Sequence, residues 1–113
     1  MNHKAFLIAL GAALATSTHA GDSIGKVGQI LVGRMGSQVY VELVTTQYNG
    51  WPCTSIHPNG FRYAFLLSSS GAREILATVL AAQTSGKSLQ VVGTGACTIN
   101  TTMEDVGYVV LQP

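Results

Sequence analysis

The stretch FRYAFLLSSSGAREILATVLAAQTSGKSLQVV, residues 61–92, changes its hydrophobic period twice and thereby decides the fold. Residues 61–67 are rich in aromatic and aliphatic side chains, which is typical of a β-strand. After the serine-rich breaker at 68–71, apolar residues recur at helical spacing and predict a helix over residues 72–84. The residues on that stripe are Ala72, Ile75, Leu76, Val79 and Leu80. Gly86 ends the helix, and residues 88–92 predict another strand.

Three further strands are predicted, two before this stretch and one after it. Residues 26–32 and 39–46 are rich in β-branched side chains, while 21–25 has the character of a loose leader. The near-continuous apolar run at 106–112 predicts a last strand that is buried on both faces or lies in an oligomer contact. Asn-Gly, Trp-Pro and Pro-Asn-Gly breakers predict a loop over 47–60.

The predicted order is therefore three strands, one helix and two strands. This is the order of a mainly β, OB-fold-like five-stranded Greek-key barrel. Strands three and five of such a barrel lie side by side and run parallel, so Cys53 and Cys97, each a few residues before one of them, would share one end. Aromatic residues Phe61, Tyr63 and Phe65 are expected on one face of strand three, because strand side chains alternate. The alternative is an open α+β sheet with the helix across one face.

The first 20 residues have the pattern of a cleaved secretory signal peptide. A short basic start, MNHK, precedes an apolar run without charge at residues 5–15, and small residues precede the expected cut after Ala20. This run of 11 residues is short for a membrane-spanning helix, which needs roughly 20. We therefore expect export to the periplasm or the medium, no membrane span, and a single domain over residues 21–113.

Export bears on the two cysteines, because thiols pair in an oxidising compartment. Cys53 and Cys97 are the only cysteines of the chain, so the sequence predicts a disulfide between them. In the chain-entropy account, closing a loop of this size stabilises a domain by about 4 kcal/mol.

Several classes of function are disfavoured by composition. Residues 21–113 hold five basic and five acidic side chains without a run of like charge, which argues against a nucleic-acid partner. With the cysteines paired, His57 and scattered acids are too few for a zinc site. The helix start accounts for Glu74, and a solvated turn for Glu104 and Asp105, so we expect no enzyme and no cofactor.

The candidate ligand-binding residues are Tyr48, Trp51 and His57, three large side chains among the breakers of the 47–60 loop. Aromatic rings stack on sugars and are common anchors at interfaces. The competing interpretation is that Trp51 plugs the end of the barrel beside Cys53, and both remain open at this point.

The chain from Cys53 to Leu111 resembles a class of small exported bacterial proteins. The shared features are a cysteine, an aromatic strand, a serine-rich turn, a helix ending in LAAQTSGK at 80–87, the segment GAC at 95–97 and a closing VGYVVL at 106–111. The layout is also similar to the binding (B) subunits of five-fold bacterial A–B toxins, such as that of the subtilase cytotoxin.

That resemblance implies an exported, disulfide-bonded OB-fold that binds glycans as a ring pentamer, and it supplies no residue-by-residue match for a glycan contact. The expected function is a non-enzymatic binding domain whose partner is a glycan or another protein. The alternative is a monomeric periplasmic envelope or stress protein that acts through protein contacts.

Overall fold

A computed structural model describes residues 20–34, 37–45, 48–55, 57 and 59–113. Residues 1–19 of the predicted signal peptide, and the end of the predicted second strand at 46, lie outside these ranges. The described residues form six strands and one helix. In chain order these are β1 (Asp22–Val32), β2 (Gln38–Val44), β3 (Tyr48–Asn49), β4 (Phe61–Leu66), α1 (Ala72–Ser85), β5 (Ser88–Gly93) and β6 (Glu104–Leu111).

Five of these strands close into a barrel. The sheet order is β2-β4-β6-β5-β1, and β1 pairs again with β2, which joins the two ends. β4 and β6 run parallel, whereas the other neighbours in the barrel are antiparallel. This confirms the predicted OB-fold-like barrel, including its parallel third and fifth barrel strands, and excludes the open sheet.

The barrel core is apolar and is closed on one side by α1. Inward-facing residues such as Val39, Val41 and Leu89 are almost fully buried, and Val79 of α1 packs among them. The helix begins after Gly71 and ends at Gly86, both in the left-handed conformation that favours glycine. The helix prediction is therefore confirmed to within one residue.

The predicted leader at 21–25 is wrong, because β1 begins at Asp22. Its first half pairs with β5, from Asp22 opposite Val92 to Lys26 opposite Ser88, and with β3 at Ser23 opposite Tyr48. Polar and glycine residues in the first half of β1 interrupt the hydrophobic alternation by which a strand is recognised in a sequence. The predicted 47–60 loop contains a short strand, β3, near its start.

The three aromatics of β4 do not share one face. The pairing of β2 with β4 shifts register so that Val41 lies opposite Tyr63 and Glu42 opposite Phe61, which leaves Arg62 as the extra residue of a β-bulge. Tyr63 therefore faces the barrel core with Phe65. Phe61 instead joins a second cluster with Ala64 and Met103.

β6 is not buried on both faces in the single chain. Its outward residues Tyr108 and Val110 are 57% and 40% exposed. The barrel closes with the outer face of β6 uncovered, so that half of the prediction is wrong. The alternative, an oligomer contact on this strand, stays a prediction.

The disulfide between Cys53 and Cys97 is confirmed, with Cα atoms 5.8 Å apart. It ties the segment before β4 to the segment before β6, and it closes a loop spanning 44 positions. The β5–β6 connection is thereby held beside the second cluster, to which it contributes Ile99 and Met103.

We predict that removing this bond destabilises the barrel strongly. Reduction, or the double change Cys53→Ser with Cys97→Ser, should lower the free energy of unfolding by about 2–4 kcal/mol and the melting temperature by ~10 °C or more. Calorimetry with and without reductant measures the shift, and thiol counting verifies that the bond has opened. An unchanged melting curve of the opened protein would refute the prediction.

Candidate functional site

Two of the predicted ligand-binding residues converge on a cation at one end of the barrel. The guanidinium carbon of Arg62 lies 3.7 Å from the centre of the Tyr48 ring and 4.8 Å from that of the Trp51 ring. All three side chains are half-buried. We call Tyr48, Trp51 and Arg62 the Arg62 cluster.

Each member of the cluster is held by its own local structure. The Tyr48 hydroxyl donates a hydrogen bond of 2.8 Å to the carbonyl oxygen of Leu43. The Trp51 indole N–H donates to the carbonyl oxygen of Ser55 at 3.2 Å. Arg62 occupies the extra position of the β-bulge, and bulges re-aim side chains in this way.

The charge of Arg62 is not neutralised by an acid: it forms no ion pair with any residue that the structure describes. The guanidinium carbon of Arg62 lies over the Tyr48 ring, and such a cation–π contact contributes about 0.5–1 kcal/mol at a partly exposed site. The guanidinium N–H groups form no hydrogen bond with any described residue, so they can donate to a hydroxyl or a carboxylate of a ligand.

His57 is not part of this cluster. Its ring meets Phe61 edge-on at 5.7 Å between centres, and its Nδ1 accepts a 3.1 Å hydrogen bond from the Asn59 amide. The bulge places Phe61 and Arg62 in different surroundings. His57 contacts Phe61, so it lies beside the second cluster and not beside Arg62. Its predicted ligand-binding role stays a prediction.

Trp51 has both a contact with the barrel core and a contact with Arg62. One edge of its ring packs against buried Tyr63, at 6.4 Å between centres and an interplanar angle of 74°. Trp51 thus contacts a residue of the barrel core, and it also lies 4.8 Å from the guanidinium carbon of Arg62. A structural contact and a place in a ligand site are compatible for this residue.

Beneath the cluster lies a buried pair of hydroxyl groups. Ser23 Oγ and Tyr63 Oη are hydrogen-bonded, and each residue is 1% exposed. Burial, opposed by the Ser23 hydrogen bond and reinforced by repulsion from Glu104, raises the pKa of Tyr63 from 10.0 to about 12.

Glu104 corrects the prediction of a solvated turn at 104–105. It is the first residue of β6 and is fully buried. Its Oε2 accepts hydrogen bonds from the amides of Gly21 and Gly95, both at 2.9 Å. Its Oε1 is buried without a partner among the described residues. Burial raises the pKa of Glu104, and repulsion from Asp105 and Asp22 adds to this, although the two amides oppose it.

Glycines make room for this carboxylate. A Cβ on Gly93 would overlap the Glu104 carboxyl group, and one on Gly21 would lie 2.6 Å from Oε1. The carboxylate thus occupies space that only glycine leaves open, at the residue before β1 and at the last residue of β5.

A separate cavity of about 250 Å³ opens between β4, β6 and the start of α1. It is lined by Phe65, Ser70, Ile75 and Asp105, among others. The Asp105 carboxylate already accepts hydrogen bonds from the Thr98 amide and hydroxyl, so it is engaged within the fold.

Comparison with known protein families, with curated proteins and with solved structures finds no match. Within the described ranges, no group of three or more His, Cys, Asp or Glu side chains is placed to hold a metal ion. Over the same ranges, no helix is both long and apolar enough to cross a bilayer.

Sequence reasoning missed the contacts of two charged residues at this end of the barrel, Arg62 and Glu104. Arg62 lies within an aromatic strand, and the alternation of strand side chains does not show which residues of other elements will contact it. Gly93 and Gly95, which lie beside Glu104 in the fold, are 11 and 9 positions before it in the sequence, and closely spaced glycines also mark ordinary turns.

The raised pKa of Tyr63 predicts a loss of stability at alkaline pH. The folded state holds this proton more tightly, so the contribution of Tyr63 is fully present below its ordinary pKa of 10.0 and is lost as pH rises toward 12. Between pH 10.0 and about 12, the free energy of unfolding should therefore fall by about 2 kcal/mol less in Tyr63→Phe than in the wild-type protein. Denaturant unfolding at several pH values measures the difference.

Tyr108→Phe is the matched control for the loss of a tyrosine hydroxyl, because the side chain of Tyr108 is 57% exposed. If the free energy of unfolding fell equally with rising pH in wild type and Tyr63→Phe, the raised pKa of Tyr63 would be contradicted.

Proposed function

We propose that this chain is an exported, non-enzymatic binding domain whose ligand is a carbohydrate held at the Arg62 cluster. The observation that carries the proposal is a half-buried guanidinium, stacked on Tyr48 and next to Trp51, without an ion-pair partner among the described residues.

The chemistry of the cluster suits a sugar. Aromatic rings offer an apolar surface to the C–H face of a pyranose, while a fixed guanidinium donates to hydroxyl or carboxylate oxygens along its edge. Ligand sites commonly combine aromatic surface with a few placed polar groups in this way. The balanced charge of residues 21–113 gives no backbone-tracking basic groove, which disfavours a nucleic acid.

Export is supported by the disulfide, which persists in oxidising compartments, and by the signal-peptide pattern of residues 1–20. The resemblance to toxin B subunits supports a glycan ligand. It also suggests several copies per assembly, because repeated weak sites gain avidity.

The test is a glycan panel probed with the exported, oxidised protein, together with Trp51→Ala and Arg62→Gln. We expect binding to a subset of glycans and a loss of about tenfold or more in affinity for either variant, since each removes a direct contact. Trp51 is the only tryptophan of the chain, so its fluorescence reports ligand arrival.

Arg73→Gln is the matched control, because Arg73 is an exposed arginine on α1 away from the cluster. It should bind as the wild type does, and melting curves verify that all variants fold. Absence of binding across the panel would refute the carbohydrate ligand. Binding that survives both cluster substitutions would refute the site.

A second candidate function, action through protein contacts, is favoured by the outer face of β1, β5 and β6. Strand pairing places Ile24, Gln90 and Val110 side by side across the three strands. Val92 and Tyr108 are paired in the next row of the same face. Ile24 is 46% exposed, so this face presents uncovered apolar groups in the single chain.

Solution mass by light scattering separates the two candidates. A ring oligomer that Val110→Lys converts to monomer would assign this face to self-association. Leu80→Lys is the matched control, because Leu80 is 43% exposed on α1 and not on the sheet face, so this substitution should leave the mass unchanged. A monomeric wild type would remove the ring and favour the monomeric envelope protein.

A further inference from the structure

The bond that the signal-peptide pattern marks for cleavage lies directly at a buried acid. The pattern places the cut between Ala20 and Gly21. Ala20 is exposed, whereas Gly21 is buried and its nitrogen lies 2.9 Å from Glu104 Oε2. The first residue left by the cut would therefore begin its chain beside a carboxylate.

The described residues satisfy only one oxygen of that carboxylate. An ionised carboxylate can accept about four hydrogen bonds. Glu104 accepts two, both at Oε2, and Oε1 is buried with none among the described residues. A buried charge without compensation is costly, and Asp22 and Asp105 lie near enough to repel it.

Gly21 is within reach of both carboxylate oxygens. Oε2 accepts from its nitrogen, and Oε1 lies 2.6 Å from the point where a Cβ would stand on its Cα. The other side of Gly21 is fixed, since its carbonyl oxygen accepts a 2.8 Å hydrogen bond from the Gly93 amide. The nitrogen is thus held at the carboxylate.

Cleavage changes the chemistry of this nitrogen. Hydrolysis breaks the bond between the Ala20 carbonyl carbon and the Gly21 nitrogen; water supplies the hydroxyl of the new Ala20 carboxylic acid and a hydrogen to the amine. With an ordinary pKa of about 8, a free α-amine takes up a further proton at neutral pH. One amide donor thereby becomes an ammonium with three donors and a full positive charge.

We propose that removal of the signal peptide completes the fold, because the new α-ammonium of Gly21 forms a buried ion pair with Glu104. The pair supplies the missing donor to Oε1 and neutralises the buried charge. It anchors the start of β1, which pairs with β3 and so supports Tyr48. The stability of the mature domain then depends on beginning at Gly21.

The test uses the full chain, exported through its own leader, in four forms. These are wild type, Glu104→Gln, a variant with one serine inserted between Ala20 and Gly21, and the combination. The insertion keeps Ala20 before the cut and leaves the Gly21 nitrogen as an amide. Because Ala20 is exposed, an added residue has room at this position.

Intact-mass measurement identifies each N-terminus, and thermal unfolding at pH 7 gives the melting temperatures. In the wild-type background, Glu104→Gln should lower the melting temperature by ~10 °C or more, as removal of one partner of a buried pair does. In the serine-inserted background the same substitution should cost less than half of that, because no ammonium is present to lose its partner.

Equal costs of Glu104→Gln in the two backgrounds would overturn the proposal, as would a wild-type N-terminus other than Gly21. If Glu104→Gln fails to fold, wild type against the serine insertion decides alone. The insertion should melt several degrees lower, by about 5 °C or more. Equal melting temperatures for these two forms would also overturn the proposal.

Discussion

The structure depends on one buried carboxylate. Glu104 has no exposed surface, yet it begins the strand that closes the barrel between β4 and β5. Its oxygens meet the amides of Gly21 and Gly95, and Gly93 leaves the space that its side chain fills. A buried acid must be satisfied by donors or it destabilises the fold. The starts of β1 and β6 and the end of β5 are therefore fixed relative to one another through this one group.

The candidate ligand site stands above this acid through a short series of contacts. Ser23, two residues after Gly21, is hydrogen-bonded to Tyr63, and Tyr63 meets the edge of Trp51. Trp51 and Tyr48 in turn flank Arg62. The β-bulge at Arg62 is what separates this side of the barrel from the cluster around Phe61. A rigid base of this kind limits the entropy lost when a ligand binds, because the aromatic side chains are already placed.

The sequence predicted what local period and compartment control. The strand order, the helix over residues 72–84 and the Cys53–Cys97 bond followed from hydrophobic spacing and from the export pattern. The sequence did not predict what depends on pairing across the barrel. The first half of β1 is polar and glycine-rich, so only its partners in β3 and β5 define it as a strand. The register shift at Arg62 moved Phe61 away from Tyr63, and no local feature announces such a shift. Glu104 looked like a surface acid because its donors come from residues up to 83 positions away.

The ionisation of Glu104 in the processed, oxidised protein tests this account most directly. Carbon-13 NMR of the glutamate side-chain carboxyl groups, assigned with Glu104→Gln and followed from pH 2 to 8, gives its titration. A paired α-ammonium favours the charged form, so we predict a pKa of Glu104 below the ordinary glutamate range in the protein that begins at Gly21. In the serine-inserted form, burial and the nearby Asp22 and Asp105 should instead raise the pKa of Glu104. A raised pKa in both forms would contradict the central claim that Gly21 and Glu104 form the pair on which the barrel depends.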